Sequence, residues 1–123
     1  MTPPVFRTCI AHDPVLALLG EDPTRLYSFG QAPQDASKPY AVWQVQAGAP
    51  ENYLGQLPDV DQLTVQLTAY AQDAVAARAI AVVLRDAIEP VAHVVAWLGE
   101  IRDADTQLFA VAFLVDWFVH RSD

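Results

Sequence analysis

Few residues of this chain have the types and the spacing that chemistry needs. Cys9 and His12 stand one helical turn apart, so a helix would put a thiol and an imidazole on one face as two possible metal ligands. A structural zinc site takes four ligands, and no second pair exists: His93 and His120 are isolated, with no H-x-x-x-H spacing, and Cys9 has no other cysteine to join it. A buried thiol beside a helix-end imidazole is the better reading. Asp103 and Asp105 resemble the opening of a calcium loop, but the Gly and closing Glu are missing at their required spacing, which leaves a solvated hairpin turn. Ser28, Ser37 and Ser122 lie in no G-x-S-x-G elbow, and no Gly-rich phosphate loop occurs. Asp116, set among apolar residues, has three readings: a perturbed carboxylate of the kind active sites use, a marker of the end of a sheet, or the partner of an Arg across an interface. The expectation is a chain with no catalytic residue, no metal and no cofactor.

The elements that would position these groups are clearest between Asp61 and Pro90. In Leu63-Thr64-Val65-Gln66-Leu67-Thr68-Ala69, apolar and polar residues alternate with the period of a strand that has one buried face. Asp73 then offers an N-cap carboxylate, and Ala76, Ala77, Ile80, Val83, Leu84, Ala87 and Ile88 form one helical stripe. Pro90 stops the helix, which predicts a long helix over about 73–89, roughly 24 Å at 1.5 Å per residue and long enough to cover a sheet of about five strands.

Around this unit the remaining chain reads as shorter pieces. Thr2 as N-cap, Pro3 at the first position and the face Phe6, Cys9, Ile10 predict a first helix to about Ala11. Asp13-Pro14 and Gly20 bracket a second over 14–19. Strands are predicted at 25–29, 40–46, 92–101 (with Gly99 as a bulge or kink) and 108–119, and a loop over 30–39. Ala47 to Val60, with Gly48, Pro50, Gly55 and Pro58, reads as a fourteen-residue loop, a length that is usually functional or mobile. The fold class is α+β: a mixed or antiparallel sheet of four to five strands, with the long helix and an N-terminal helical segment packed on it, in one domain spanning 1–123.

Composition narrows the function classes. Fifteen acidic and seven basic residues give a net charge of −8, which opposes binding to phosphate by the chain as a whole, though a surface that lets DNA slide past would have this sign. No run of 18 apolar residues is present, and Met1-Thr2-Pro3-Pro4 lacks a basic signal-peptide start, so a soluble cytoplasmic product and no membrane contact are expected. Twenty alanines inflate the apolar fraction of 53%. Even so, the large apolar residues exceed what one small core needs, which points to subunit contacts. The last strand is apolar on both faces, so either it is covered on both sides or its second face meets another subunit. On the long helix, Val75 and Val82 lie opposite the core stripe, flanked by Arg78 and Arg85 at the same separation. With Tyr53 and Leu54 as apolar anchors of the long loop, these are the candidate contacts with a neighbouring subunit or partner.

Several segments carry a likeness to one family: Leu18-Leu19-Gly20, Ala32-Pro33-Gln34, Pro39-Tyr40-Ala41-Val42-Trp43-Gln44, Pro50-Glu51-Asn52-Tyr53-Leu54, Val65 to Ala71, Leu84-Arg85-Asp86-Ala87-Ile88 and Val115-Asp116-Trp117. In this order they resemble the tail completion or tail terminator proteins of long-tailed (siphovirus) bacteriophages, similar to those of lambda and SPP1. The resemblance implies a structural virion protein, not an enzyme, made in the host cytoplasm and assembled as a hexameric ring in the neck of the tail. Such a ring caps the head-proximal end of the tail tube, ends tube polymerisation and joins the tail to the head-closure (connector) protein, while DNA passes through the lumen without sequence-specific binding. Its partners would be further copies of itself, the tail tube protein and the head-closure protein. Two readings of other classes stand beside it: a small α+β ligand-binding or dimeric regulatory module with Trp43, Trp97 and Trp117 lining a pocket, and an enzyme using Asp116 and His93.

Overall fold

The alternating stretch at 63–69 becomes the middle of the protein. A computed structural model describes residues 2–50 and 59–121, in the element order α1 (Val5–Ile10), α2 (Asp13–Leu19), β1 (Leu26–Ser28), β2 (Tyr40–Pro50), β3 (Val60–Ala71), α3 (Ala74–Ile88), β4 (His93–Arg102) and β5 (Phe109–His120). The strands form one five-stranded mixed sheet in the order β1-β2-β3-β5-β4. Only β1 and β2 run parallel; the other neighbours are antiparallel. This is the α+β architecture that the periodicities predict.

All three helices cover one face of the sheet. Leu63, Val65, Leu67 and Ala69 of β3 point into that layer, opposite Trp117, Val115, Phe113 and Val111 of β5. From the helix side come Ala77, Ile80, Ala81, Leu84, Ala87 and Ile88 of α3, with Val5, Cys9, Val15 and Leu19 of α1 and α2. The predicted stripe on α3 is therefore the core stripe, with Ala81 added and Ala76 and Val83 only half-buried at its margins. Asp73 caps the helix as expected, its Oδ1 accepting a 2.8 Å bond from the Ala76 amide.

Arg25 closes the N-terminal layer onto the sheet. Its guanidinium donates to the Pro39 carbonyl at 2.7 Å and to the Leu18 carbonyl at 3.2 Å, tying the end of α2 to the start of β2. Gly20, between them, has φ +86°, and a Cβ there would lie 2.8 Å from the Arg25 Nη1. Only glycine suits both the backbone and the space.

Local propensity misleads in a few places. The predicted loop at Ala47–Val60 is too long: Ala47–Pro50 extend β2 and pair with Asp61–Thr64 of β3, after an irregularity between Val45 and Ala47. Gly48 is a packing glycine here, since a Cβ would come within 2.7 Å of Leu63 Cδ2, and Pro50 occupies the strand's last position, where prolines are tolerated. The centre of that expected loop, with Tyr53 and Leu54, lies outside the described residues. At the N-terminus Thr2 does not cap α1; the helix starts at Val5 after Pro4, with Val5 and Cys9 buried and Phe6 turned outward. The remaining boundaries move by one or two residues, and Gly99 is the kink expected, with φ +107° at a register shift in β4.

Candidate functional site

Four side chains on α3 are the contacts anticipated there, and the structure brings two of them together. Arg78 reaches over the edge of the sheet to Glu100 on β4, with Nε donating to Oε1 at 2.6 Å and Nη2 to Oε2 at 2.9 Å. That paired geometry holds the Glu100 carboxyl below the usual carboxylate range and raises the Arg78 guanidinium. Beside it Val82, with Trp97 and Val111, walls an almost wholly apolar groove of about 410 Å³ between α3 and β4. Val75 stands apart and is 73% exposed. Arg85 is occupied on the helix itself, bonded to Asp86 at 2.9 Å and within 3.4 Å of Glu89.

The sequence reading did not find the larger apolar surfaces, which belong to the two edges of the sheet. On β4, Val95, Trp97, Leu98 and Ile101 are each about half exposed or more. Val95 and Leu98 are the residues that the two register shifts against β5 leave without a partner, so the bulges turn them out of the ladder. At the opposite edge β1 pairs only with Ala41–Trp43, and from Gln44 onward β2 has no outer neighbour among the described residues. There Phe29, Trp43, Gln44, Val45 and Gln46, with Thr2 and Pro3, line an open groove of about 820 Å³. Among the described residues no charged side chain lines it.

On β2 and β3 the face of the sheet away from the helices is polar and largely neutral. Tyr40 and Tyr70 stack with ring centroids 5.1 Å apart, and Tyr27 meets Tyr40 edge-on at 6.2 Å. Burial pushes both the Tyr40 and Tyr70 phenols up, and the Asp103 carboxylate adds to this. Farther along the same face Gln66 donates to Thr68 at 3.1 Å and accepts from Gln46. The second face of β5, for which the sequence allows a cover or a neighbouring subunit, is covered by no helix among the described residues: Ala112, Leu114 and Asp116 are half-buried there and Phe118 is exposed.

The groups with chemical potential are held apart or spent. Asp116 accepts from the Gln62 amide at 2.8 Å and the Thr64 hydroxyl at 3.2 Å, as one rung of that polar face, and His93 is its cross-strand neighbour without a hydrogen bond to it among the described residues. Cys9 is fully buried, and burial pushes its thiol up to about 12. Asp103 accepts from the Asp105 amide at 2.9 Å in a turn between β4 and β5. Trp43, Trp97 and Trp117 open onto three different grooves, so no common pocket forms. Trp43 and Trp97 share a cross-strand row, but Leu67 and Phe113 stand between them, a separation of about 14 Å at the spacing of neighbouring strands. Among the described residues no group of three or more His, Cys, Asp or Glu side chains is placed to hold a metal ion, and no helix is long and apolar enough to cross a membrane.

A surface made for packing, without a furnished pocket, agrees with what the chain resembles. The family model described as tail completion protein gp17 matches residues 3–120. The chain belongs to the tail completion protein gp17 family. It is accordingly a structural protein of a phage tail. Among solved structures, a chain in the virion of a native gene transfer agent particle superposes with a TM-score of 0.65 at 16% identity, covering 94% of this chain and 91% of that one. At that identity the likeness concerns the fold. Comparison with curated proteins gives no match at the same standard.

Proposed function

We propose that this tail completion protein forms a ring, of six copies, on the head-proximal end of the tail tube, where it ends tube polymerisation and presents a surface to the head-closure protein. The observation that carries the reading is the pair of unlike apolar edges on one sheet. A closed ring is built from heterologous junctions, in which two different surfaces of each subunit meet. Apolar side chains left in water on both edges, in a chain that already buries a core between helices and sheet, supply such surfaces. The excess of acidic residues supports the second part of the function: DNA crossing a ring of −8 subunits meets few cations to hold it. Nothing in this role requires catalysis.

A phage lacking the protein tests the proposal. Filled heads and unattached tails are expected, with some tubes longer than normal because nothing caps them. Tails of normal length, firmly joined to heads, would refute it. The purified protein should also show no salt-sensitive DNA binding at physiological ionic strength, where a phosphate-binding surface would.

A further inference from the structure

The two edges of the sheet differ in shape, and the difference is ordered. On β4 the register shifts turn Val95 and Leu98 out of the ladder, between Trp97 on the helix side of the sheet and Ile101 on the other, which makes the edge itself an apolar ridge. On β2 the early end of β1 leaves a groove floored by Trp43 and Val45 and flanked by Phe29, which is 71% exposed. Edge strands usually carry charge or a bulge that spoils pairing. Here the bulges are present, but the residues they expose are apolar, so strand addition at β4 is blocked while its side chains are offered for docking.

Charge permits a contact at the same two places. In a chain with fifteen acidic residues, association of like copies is opposed wherever carboxylates face each other. Among the described residues, none that lines the β1–β2 groove is charged. On β4 the one carboxylate, Glu100, is neutralised by Arg78, and Arg102 lies over the Phe109 ring at 5.1 Å. Among the described residues, neither β4 nor the lining of the groove thus carries an unpaired carboxylate, which is what a contact between two copies of this chain needs.

We infer that the β4 ridge of one copy, with Trp97, Leu98 and Ile101 at its centre, seats in the β1–β2 groove of the next copy against Phe29, Trp43 and Val45. The junction rests on the ring reading and specifies which surfaces close it. Each copy gives its ridge to one neighbour and its groove to the other, so the contact propagates in one direction. Tryptophan occupies both sides, as energetically dominant interface positions tend to.

The test is native mass spectrometry and sedimentation of the full chain carrying Leu98→Asp on the ridge or Phe29→Asp in the groove, with Ile101→Asp and Val45→Asp as second choices if circular dichroism shows that either first variant has unfolded. The wild type is expected as the ring, and each variant alone as a folded monomer. An equimolar mixture of the two should give a one-to-one heterodimer and nothing larger, because only the ridge of Phe29→Asp and the groove of Leu98→Asp remain to meet. Rings from both single variants would overturn the assignment of these edges and leave the terminator reading standing. A homodimer from either variant would overturn the head-to-tail junction in favour of an isologous one. A wild type that stays monomeric at every concentration would count against the ring itself.

Discussion

Leu84→Ala measures whether the layer between α3 and the sheet is the core. Leu84 is fully buried, on the face of α3 that meets β3 and β5. Removing three carbons forfeits about 2.4 kcal/mol of transfer free energy at about 0.8 kcal/mol per methylene. A cavity term adds to this, because a strand pair below and α1 and α2 alongside limit collapse, so a total of about 3 to 4 kcal/mol is expected within the usual range of about 2 to 5. The better helix propensity of Ala returns only a few tenths of a kcal/mol. For 123 residues the unfolding entropy is about 0.26 kcal/mol/K, so the midpoint should fall by about 12 °C or more. Urea and thermal melts of the variant, with the exposed Val75→Ala as a control that shifts by less than about 0.5 kcal/mol, read the difference directly. A loss below about 0.5 kcal/mol for Leu84→Ala would refute the packing of this helix, since a site that costs nothing to empty is not filled.

Other perturbations probe the remaining features. Gly48→Ala should destabilise by about 1 to 3 kcal/mol through the clash with Leu63, and Leu63→Val should recover part of that loss, so a double-mutant cycle showing plain additivity would contradict the close approach. Asp61 is buried and paired to Arg121 at 3.0 and 3.1 Å, and these bonds hold its carboxyl below the usual range. Its contribution is therefore complete above the ordinary aspartate pKa of about 3.9 and disappears as pH falls through the lowered folded value, so Asp61→Asn should flatten the acid limb of stability against pH; an unchanged limb would assign that limb to other carboxylates. Cys9, with its thiol pushed up to about 12, should resist alkylation at pH 8 in the native protein and react only on unfolding, and rapid native labelling would show α1 to be loosely held.

How far the sequence could be read follows from where each residue's conformation is decided. The strand at 63–69 and the helix behind it were legible because period, N-cap and proline stop agree locally, and the structure uses all three. The C-terminal strand was legible as apolar on both faces, but which face the helices cover is fixed by its partner β3, some fifty residues earlier in the chain. Gly48 and Pro50 misled because strand pairing outweighs single-residue propensity, and the reason glycine is needed at 48, the Leu63 side chain, is distant in sequence. Of the candidate contacts, the outward positions of Val75, Arg78, Val82 and Arg85 followed from helical period alone. That Arg78 is consumed by Glu100 did not, since it depends on where β4 lies. The ridge and groove were invisible for the same reason: an edge is a property of strand order, and Val95 and Leu98 look like any strand residues until the shifts beside them are known.

The central seam has a consequence for how the protein comes into being. β2 with β3, and β4 with β5, are antiparallel neighbours that meet soon after they are made, whereas β3 and β5 join Ala71 to Phe109 at one end and Val60 to His120 at the other. Pairings of such high sequence separation are slow to find, so the two ribbons are expected to form before the middle zips. Until then the inner edges of both ribbons are as open as the outer ones. Because β5 follows β4 in the chain, β4 has no partner and one margin of β3 stays open until β5 is made. An acidic chain gains from its charge at this stage as well: mutual repulsion between unfinished copies disfavours pairing of their open margins.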